Sequence, residues 1–387
     1  MSAAEHSTNV LVVGGGPAGL AAAFAARLRG FSVLVADTAE PPIDKACGEG
    51  LMPDGVDALR QIGVAIPSAD SFPFRGIRFI GEGRQAEADF PQGPGLGIRR
   101  INLHRLLFER AEQQGVSFFW RARVTGLDAG GVWVQDRFIR AQWVIGADGL
   151  NSSVRRWAGL DRFRFHLEPQ RFGFRRHFRV TPWTDFVEVY WGAPSASRTG
   201  LRDAGCQVYV TPVGHEEVGV AAISSRPQFR LEKALSLFPD LAERLRDAAP
   251  VSTERGAATA SRTLKRVFRG RVILIGDASG TVDAVSGEGL GLAFRQALAL
   301  GPALESGDLS PYQSTHRSLT SVPLRLTSLM LLLDRSSWLR RRALRALAAN
   351  PHLFGRMLAA HVGAVSAPGL IRNGIFPLVL QMLRGAN

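Results

Sequence analysis

Cysteine is nearly absent from this chain: Cys47 and Cys206 are the two among 387 residues. Two distant thiols build neither a disulfide framework nor a cysteine metal cluster. A reduced, cytoplasmic protein is the plain expectation, with a Cys47–Cys206 redox pair as the alternative. Lysine is almost as rare, with Lys45, Lys233 and Lys265 among 47 basic residues. No stretch approaches the ~20 apolar residues that span a bilayer, and the polar Met1–Asn9 segment has no apolar core of a signal peptide. No internal repeat is visible. His166, His177 and His215 are scattered, so no metal is assigned. Acids run out toward the C-terminus: from Leu309 onward there are ten arginines, no lysine and one acid, Asp334. That segment carries +9 of the net +13. It can attract an anionic membrane surface, an acidic carrier protein or an acidic substrate, or be no more than a solvated helical face. No nucleic-acid motif accompanies the charge, and nucleic acid is not an expected partner.

What is present begins at Val10-Leu-Val-Val-Gly14-Gly-Gly16-Pro17-Ala18-Gly19. Four apolar residues suit a strand buried on both faces. Gly14 allows a tight turn, Gly16 lets a pyrophosphate approach the backbone, and Gly19 lets the next helix pack closely on the sheet. Free N–H groups and the helix dipole favour the anion. The alanine-rich Leu20–Gly30 reads as that helix. Phe31–Asp37 reads as a second buried strand, and Asp37 falls 18 residues beyond Gly19, where a carboxylate can accept hydrogen bonds from an adenosine ribose. The bland alternative is a Gly-rich turn with a capping Asp. This segment does not distinguish FAD from NAD(P).

With 45% hydrophobic and 21% charged residues the chain is globular, and long enough for two domains or one with an excursion. Its 42 glycines fit a loop-rich α/β fold. A loop, Thr38–Pro53, leads to a short helix at Asp54–Ile62. Residues 75–90 form a hairpin around Gly81-Glu82-Gly83. Ile101–Gln114 is helical, with Leu103, Leu106, Leu107 and Ala111 on one face. Short strands fill Phe118–Ile145. Residues 163–224 are strand-like, with turns at Ser195–Gly205 and Gly214–Glu216, and two amphipathic helices occupy Phe229–Ala248. Val272–Ile275 is another buried strand, a long helix runs from Glu288 to Glu305, and helices broken near Pro351 and Pro368 complete the chain.

Two distant segments bear on the cofactor. Gly146-Ala-Asp148-Gly-Leu-Asn-Ser-Ser-Val-Arg155 follows one buried strand and Gly276-Asp277-Ala-Ser-Gly280 follows another. Each puts an Asp at a strand's carboxyl end, where ligands of open α/β sheets bind; each Asp can equally be a helix cap. In this order and spacing the three segments resemble the FAD-binding fold of the class A flavoprotein monooxygenases, shared with geranylgeranyl reductases and flavin-dependent halogenases. The resemblance covers about residues 8–305. It implies a doubly wound, glutathione-reductase-like FAD domain from residues 1–75, 97–160 and 262–310. A substrate-binding antiparallel sheet would be inserted, from the 76–96 hairpin and residues 161–261, with basic helices at 311–387. By this resemblance Asp277 binds the ribityl chain and Asp148 serves both the flavin and its own turn. Arg100, which opens an Arg-x-x-Leu-x-x-x-Leu helix, approaches the pyrophosphate, and Val124 holds the adenine through its backbone. The Gly287-Glu288-Gly289-Leu290 helix start then stabilises negative charge at flavin N1 and the C2 carbonyl; an ordinary Gly-rich helix start is the alternative.

Three reactions share that fold. Lys45-x-Cys47-Gly48-Glu49-Gly50 resembles a loop beside the flavin in the reductase branch, and halogenases carry a related Gly-Glu-Ser segment. Gln207-Val-Tyr209-Val-Thr211-Pro212 lacks the tryptophans of a halogenase, and no catalytic lysine is evident. Gly-Asp-Ala is followed by Ser279-Gly280, without the His and Pro usual in hydroxybenzoate-type hydroxylases. Ser286-Gly-Glu-Gly289 fits the reductases, although Ala284 replaces their Pro. The breadth of oxygenases among the relatives nevertheless favours hydroxylation of a hydrophobic aromatic, polyketide or prenyl-type substrate. Reduction of C=C bonds is the alternative, and a flavin-holding accessory protein without turnover a further one. NADH or NADPH is the expected transient donor. Glu49, Cys47 and Tyr209 are the candidate acids, against the ordinary roles of loop hydrogen bonding and core packing. Aromatics of the 163–224 sheet, among them Phe172, Phe174 and Phe178, provide an apolar face for a large ligand. The basic, amphipathic Trp338–Arg345 segment and the apolar Ile371–Leu383 segment either pack on the body or lie on a membrane surface.

Overall fold

In the computed structural model, residues 6–192, 205–365 and 367–384 are described, excluding the side chains of 6, 165–169, 367 and 384. Most of the expected Ser195–Gly205 turn lies outside them. The fold is α/β with mixed sheets. Val10–Val13, buried throughout, form the end of the His6–Val13 strand. This strand pairs in parallel with Val33–Ala36 on one side and Arg137–Gly146 on the other. Val272–Leu274 continues the parallel order beside Arg137–Gly146. At their carboxyl ends these strands are apolar and buried, and the Pro17–Arg27, Arg100–Gln113 and Gly289–Ser306 helices, with Pro17–Arg27 packed against the other two, share their core.

Register aligns the strand ends. Val13 pairs with both Ala36 and Gly146, and Gly146 with Leu274. Four backbone bonds carry the alignment one residue further: Gly14 N–H to Ala36 O at 2.8 Å, Ala147 N–H to Val13 O at 2.8 Å, Ile275 N–H to Gly146 O at 3.0 Å, and Asp37 N–H to Phe119 O at 3.0 Å. The three segments singled out in the sequence therefore leave the sheet at one level.

A second, largely antiparallel sheet carries the 76–89 hairpin, Phe186–Trp191, Gln207–Gly214, Glu217–Ser224, Phe163–Arg179 and Arg255–Leu264. The hairpin joins through a parallel pairing, Gly76–Ile80 beside Phe186–Tyr190. A small third sheet pairs Gly50–Leu51 and Phe72–Phe74 with Gly95–Gly97.

The tail folds back over the second sheet. Helices Ser310–Arg335, Ser337–Ala349 and Pro351–His361 bury Leu347, Leu353, Phe354 and Leu358 against Ala86, Ala88 and Val187, with Ile77 and Phe79 alongside. Pro351 begins a helix, as expected, and Asn350 Oδ1 caps it through Leu353 N–H at 3.0 Å. The break expected near Pro368 is also present: the Pro351–His361 helix ends before it, and Pro368 sits in the opening turn of the short Ala367–Leu370 helix. A further break falls at Ser336, whose hydroxyl caps the next helix through Leu339 N–H. A single Ser-x-x-Leu cap is too common a pattern to mark such a break. The outer face of the tail exposes Leu332, Trp338, Phe376, Val379 and Leu383. No helix among the described residues is long and apolar enough to cross a membrane.

Asp334, the lone acid of the tail, is inside. Its carboxylate accepts from Arg171 at 3.0 Å, Trp191 Nε1 at 2.5 Å and Gln207 Nε2 at 2.7 Å, and Arg171 also reaches Asp283 at 3.4 Å. This buried cluster pins the Ser310–Arg335 helix to three strands. Removing one partner of such a pair leaves an uncompensated charge and costs about 3–5 kcal/mol. Asp334→Ala is expected to lose stability of that order in denaturant melts, whereas Arg341→Ala, at an exposed site, changes it by less than about 0.5 kcal/mol. Equal effects of the two would contradict the assignment.

Candidate functional site

Backbone geometry shapes the Gly14–Gly19 turn. Gly14 adopts φ +108°, a region L side chains avoid, and a Cβ there would strike the Ala147 carbonyl. A Cβ at Gly19 would collide with the Gly14 carbonyl. Gly16 differs: a Cβ there would meet nothing but the Arg100 guanidinium, at 3.9 Å. The first and third glycines thus serve the chain, and the second leaves room. Pro17 and Ala18 open the following helix, Pro17 at its first turn where its missing N–H costs nothing.

Asp37 holds this turn. Its Oδ2 accepts from Gly15 N–H at 2.6 Å and its Oδ1 from Ala39 N–H at 2.7 Å. Asp148 is engaged by its own turn, with Oδ1 accepting from Ser152 Oγ at 2.5 Å and Oδ2 from the N–H groups of Ser153 and Val154 at 2.7 and 3.1 Å. Its capping role is therefore visible in the geometry. Asp277 stands 3.4 Å from Lys45 Nζ, both partly exposed. Val124 starts the Val124–Asp128 strand.

Gly14, Gly16, Pro17, Ala18, Asp37, Val124, Asp148 and Asp277 line one cavity of about 690 Å³, with Gly19 behind the turn. At one end it is bounded by Gly14, Gly16, Asp37, Arg100, Val124 and Asp148. Cys47, Gly48, Asp277, Gly287, Gly289 and Leu290 lie along it. At the other end Phe79, Trp191, Leu329, Leu333, Phe354 and Met357 enclose an apolar chamber. The expected sheet supplies one wall of that chamber, and the tail helices supply the other.

Arg100 is the unsatisfied group of the polar end. It is buried, and its Nη1 has no hydrogen-bond partner. Burial pulls its pKa down, and the nearby Cys47, Asp277, Asp44 and Glu49 pull it back up. A buried guanidinium without a partner, beside the open face of Gly16, fits a diphosphate. Gly287, at φ +69°, turns the chain into the Gly289–Ser306 helix, whose first N–H groups have no acceptor within the helix.

The three candidate acids sit in unequal surroundings. Glu49 is buried, with Oε1 accepting from Arg100 N–H at 2.8 Å and lying 3.6 Å from Arg175 Nε, while Oε2 is 2.6 Å from His177 Nε2. Cys47 is half-buried, its sulfur accepting from Glu49 N–H at 3.3 Å; burial pushes its thiol pKa up and Arg100 opposes that. Tyr209 directs its hydroxyl at Gln207 Oε1 (2.5 Å) and the Val285 carbonyl (3.0 Å), and burial raises it well above an ordinary phenol.

Sequence reasoning missed three residues. His177 and Arg175 clamp Glu49, and Arg175 also bonds Asp44 at 2.5 Å, so the Cys47 loop is fastened to the second sheet. His104 accepts from Ile43 N–H at 3.3 Å through Nδ1, which leaves Nε2–H to donate to the Gly15 carbonyl at 2.8 Å. Burial pulls the His104 pKa down, consistent with that neutral tautomer. Its placement four residues after Arg100, on the same helix face, was the available signal.

Residues 7–306 match the FAD binding domain family. The chain belongs to this family. It is 31% identical to a menaquinone reductase of Mycobacterium tuberculosis over 332 residues, covering 79% of this chain and 78% of that one. It is 28% identical to a digeranylgeranylglycerophospholipid reductase of Methanococcoides burtonii over 314 residues, 76% and 73% of the two chains. In fold it resembles a flavoprotein/dehydrogenase from Cytophaga hutchinsonii, with TM-score 0.82 and 17% identity over 99% and 100% of the chains. It also resembles the OxyS anhydrotetracycline hydroxylase from Streptomyces rimosus, with TM-score 0.71 and 23% identity over 92% and 76%. This flavoprotein is an FAD-dependent oxidoreductase, of a family in which NAD(P)H is the typical electron donor.

Two expectations follow for the flavoprotein. Replacing Arg100 by Met removes a charge-assisted partner contributing about 1.5–3 kcal/mol, so FAD should bind the apoprotein roughly 10- to 100-fold more weakly in a fluorescence-quenching titration. Unchanged affinity would remove Arg100 from the cofactor site. The second concerns Glu288, which burial pushes up to about 8 from 4.5, against the pull of Arg295. Native Glu288 keeps a proton that the unfolded carboxyl releases, so its contribution to stability declines as pH rises from 4.5 to about 8. Burial pulls His361 down from 6.5 to about 4, so its contribution rises over that lower window and opposes Glu288 there. Above pH 6.5 His361 no longer opposes the decline from Glu288. The denaturation midpoint should fall between pH 6.5 and 8, and Glu288→Gln should flatten the fall. A wild-type midpoint that stays level across this window contradicts the buried proton.

Proposed function

We propose that this flavoprotein reduces a carbon–carbon double bond of a long, apolar, prenyl-type substrate. The observation that carries the reading is the cavity's continuity: a polar cofactor end opens directly into a chamber walled by Phe79, Trp191, Leu329, Leu333, Phe354 and Met357. Such a chamber suits an extended apolar chain. Support also comes from relatives named as menaquinone and digeranylgeranylglycerophospholipid reductases, each matched over about three quarters of this chain. The hydroxylase likeness, at 23% identity, speaks for the fold alone. For that reason reduction is placed ahead of the hydroxylation favoured on family breadth.

Gly14, Gly16, Pro17 and Ala18 would hold the FAD pyrophosphate with Arg100, Gly19 serving it by packing the helix onto the turn, and Asp37 and Val124 would flank the adenosine. Asp148 and Asp277 would take the central part, while Cys47, Gly48, Gly287, Gly289 and Leu290 would surround the flavin ring. When bound, FAD supplies a hydride received from NAD(P)H. The Gly289 helix start favours negative charge at its ring end. Glu49 acts as a positioning residue: clamped by Arg175, His177 and the Arg100 amide, it sets the Cys47 loop against the second sheet. Tyr209 likewise joins its strand to the Val285 turn. The tail helices close the chamber and exclude water.

Anaerobic incubation with NADPH or NADH and a prenylated quinone or geranylgeranyl lipid should yield a product two hydrogens heavier by mass spectrometry. A product gaining one oxygen atom, with matching oxygen uptake, would instead establish hydroxylation and overturn the proposal.

A further inference from the structure

The tail carries most of the large apolar side chains that the fold leaves exposed. Leu332, Trp338, Ile371, Phe376, Val379 and Leu383 are six of the nine exposed among the described residues, each 43–61% exposed. Phe376, Val379 and Leu383 recur at the spacing of one face on the Phe376–Arg384 helix. Its other face is inside: Leu378 lines the cavity, and Met382 packs against the cluster of Trp191, Leu333 and Leu344. The Ser310–Arg335 helix is two-sided in the same way, with Leu329, Met330 and Leu333 on the cavity and Leu332 outside. A single layer of helices therefore separates the apolar chamber from the exposed apolar face.

Charge of one sign borders that face. On the Ser337–Ala349 helix, Trp338, Arg341, Arg342 and Arg345 are spaced to fall along one side. The Arg342 guanidinium lies 4.3 Å from the centre of the Trp338 ring, and its Nη1 donates to the Met382 carbonyl at 2.7 Å, which sets this side next to the Phe376–Arg384 helix. Arg341 and Arg345 are exposed, as are Arg335, Arg356 and Arg372. Asp334, the sole acid from Leu309 onward, is buried against Arg171 and does not offset them at the surface.

We propose that this face of the tail docks on an anionic lipid bilayer. Phe376, Val379, Leu383 and Trp338 enter the boundary between headgroups and acyl chains, and the arginines, with their stems along the apolar surface, meet lipid phosphates. Such docking needs no helix that crosses the membrane. A second copy of the chain fits the face poorly, since a two-fold contact sets Arg341 and Arg345 against the same arginines. An acidic surface alone satisfies the arginines and leaves Phe376, Val379 and Leu383 uncovered. Docking does not depend on the reaction. Its consequence for the substrate does, and rests on the reduction reading: a prenyl-type chain dissolved in the bilayer lies against the outer side of the helices whose inner side lines the chamber.

Flotation of the holoenzyme with vesicles tests the surface without any substrate. The protein should rise with vesicles of equal parts phosphatidylglycerol and phosphatidylcholine, and stay behind with phosphatidylcholine alone. Added salt should weaken the binding. The Phe376→Ser/Leu383→Ser double variant should bind about 10-fold more weakly or worse, because two apolar side chains no longer leave water. Arg341→Glu should bind about 5- to 30-fold more weakly. Wild-type protein that does not float with the phosphatidylglycerol vesicles overturns the proposal, and so does flotation that the double variant leaves unchanged. A stable dimer without vesicles, dissociated by the double variant, would assign the face to a second copy and overturn it too. The substrate route has its own readout. With a prenylated quinone embedded in the same vesicles, the double variant should raise KM in proportion to its lost binding, and match the wild type when the quinone is dispersed in detergent. An unchanged KM in vesicles overturns the route. A product that gains oxygen, with flotation intact, overturns the reduction reading and leaves the docking surface standing. Circular dichroism and FAD content confirm that each variant is folded.

Discussion

Gly19 meets the Gly14 carbonyl, and Gly14 in turn meets the Ala147 carbonyl, closer than any side chain would permit. This backbone contact locks the first helix, the first strand and the Asp148 turn into one corner. Parallel register does the rest, because Val13, Ala36, Gly146 and Leu274 end level and deliver the following residues to one crevice. A bulkier side chain at either glycine would separate the pieces that form the cofactor end.

Charge placement explains much of what surrounds that corner. Arg100 remains without a partner at its buried Nη1, and an anion is its natural complement. Glu49 has the opposite circumstance, with cationic or N–H groups at both oxygens. Its burial is tolerable because it is so fully paired. The pairing also makes a mechanical connection between the Cys47 loop and the long Phe163–Arg179 strand. Asp334 makes a second such connection, between tail and sheet. Two buried acids thus fix how the cavity's walls meet.

The tail changes the meaning of the sheet beneath it. A sheet face bearing Phe79 and Trp191 would otherwise be an open apolar surface. Covered by the 310–361 helices, it becomes a dry chamber contiguous with the cofactor end. The same covering brings His361 to Glu288, which have 73 residue numbers between them.

The glycine turn, the second-strand acid, the two Gly-Asp turns and the Arg100 helix were legible because each is a local signal. Glycine spacing and strand-terminal acids are dictated by backbone sterics and by the N–H groups of adjacent turns. The alternating apolar runs likewise marked most strands and helices. The Ser336 break escaped because a lone serine cap competes with many equivalent patterns. What Glu49, His177 and Asp334 do could not be read, since their partners lie 128, 128 and 163 residues away. Local pattern was enough to specify a dinucleotide corner and its family. Which acids are paired, which arginine is left for a ligand, and that the basic tail is a wall emerge from the folded chain. Those outcomes depend on burial and distance across the chain, which local pattern does not encode.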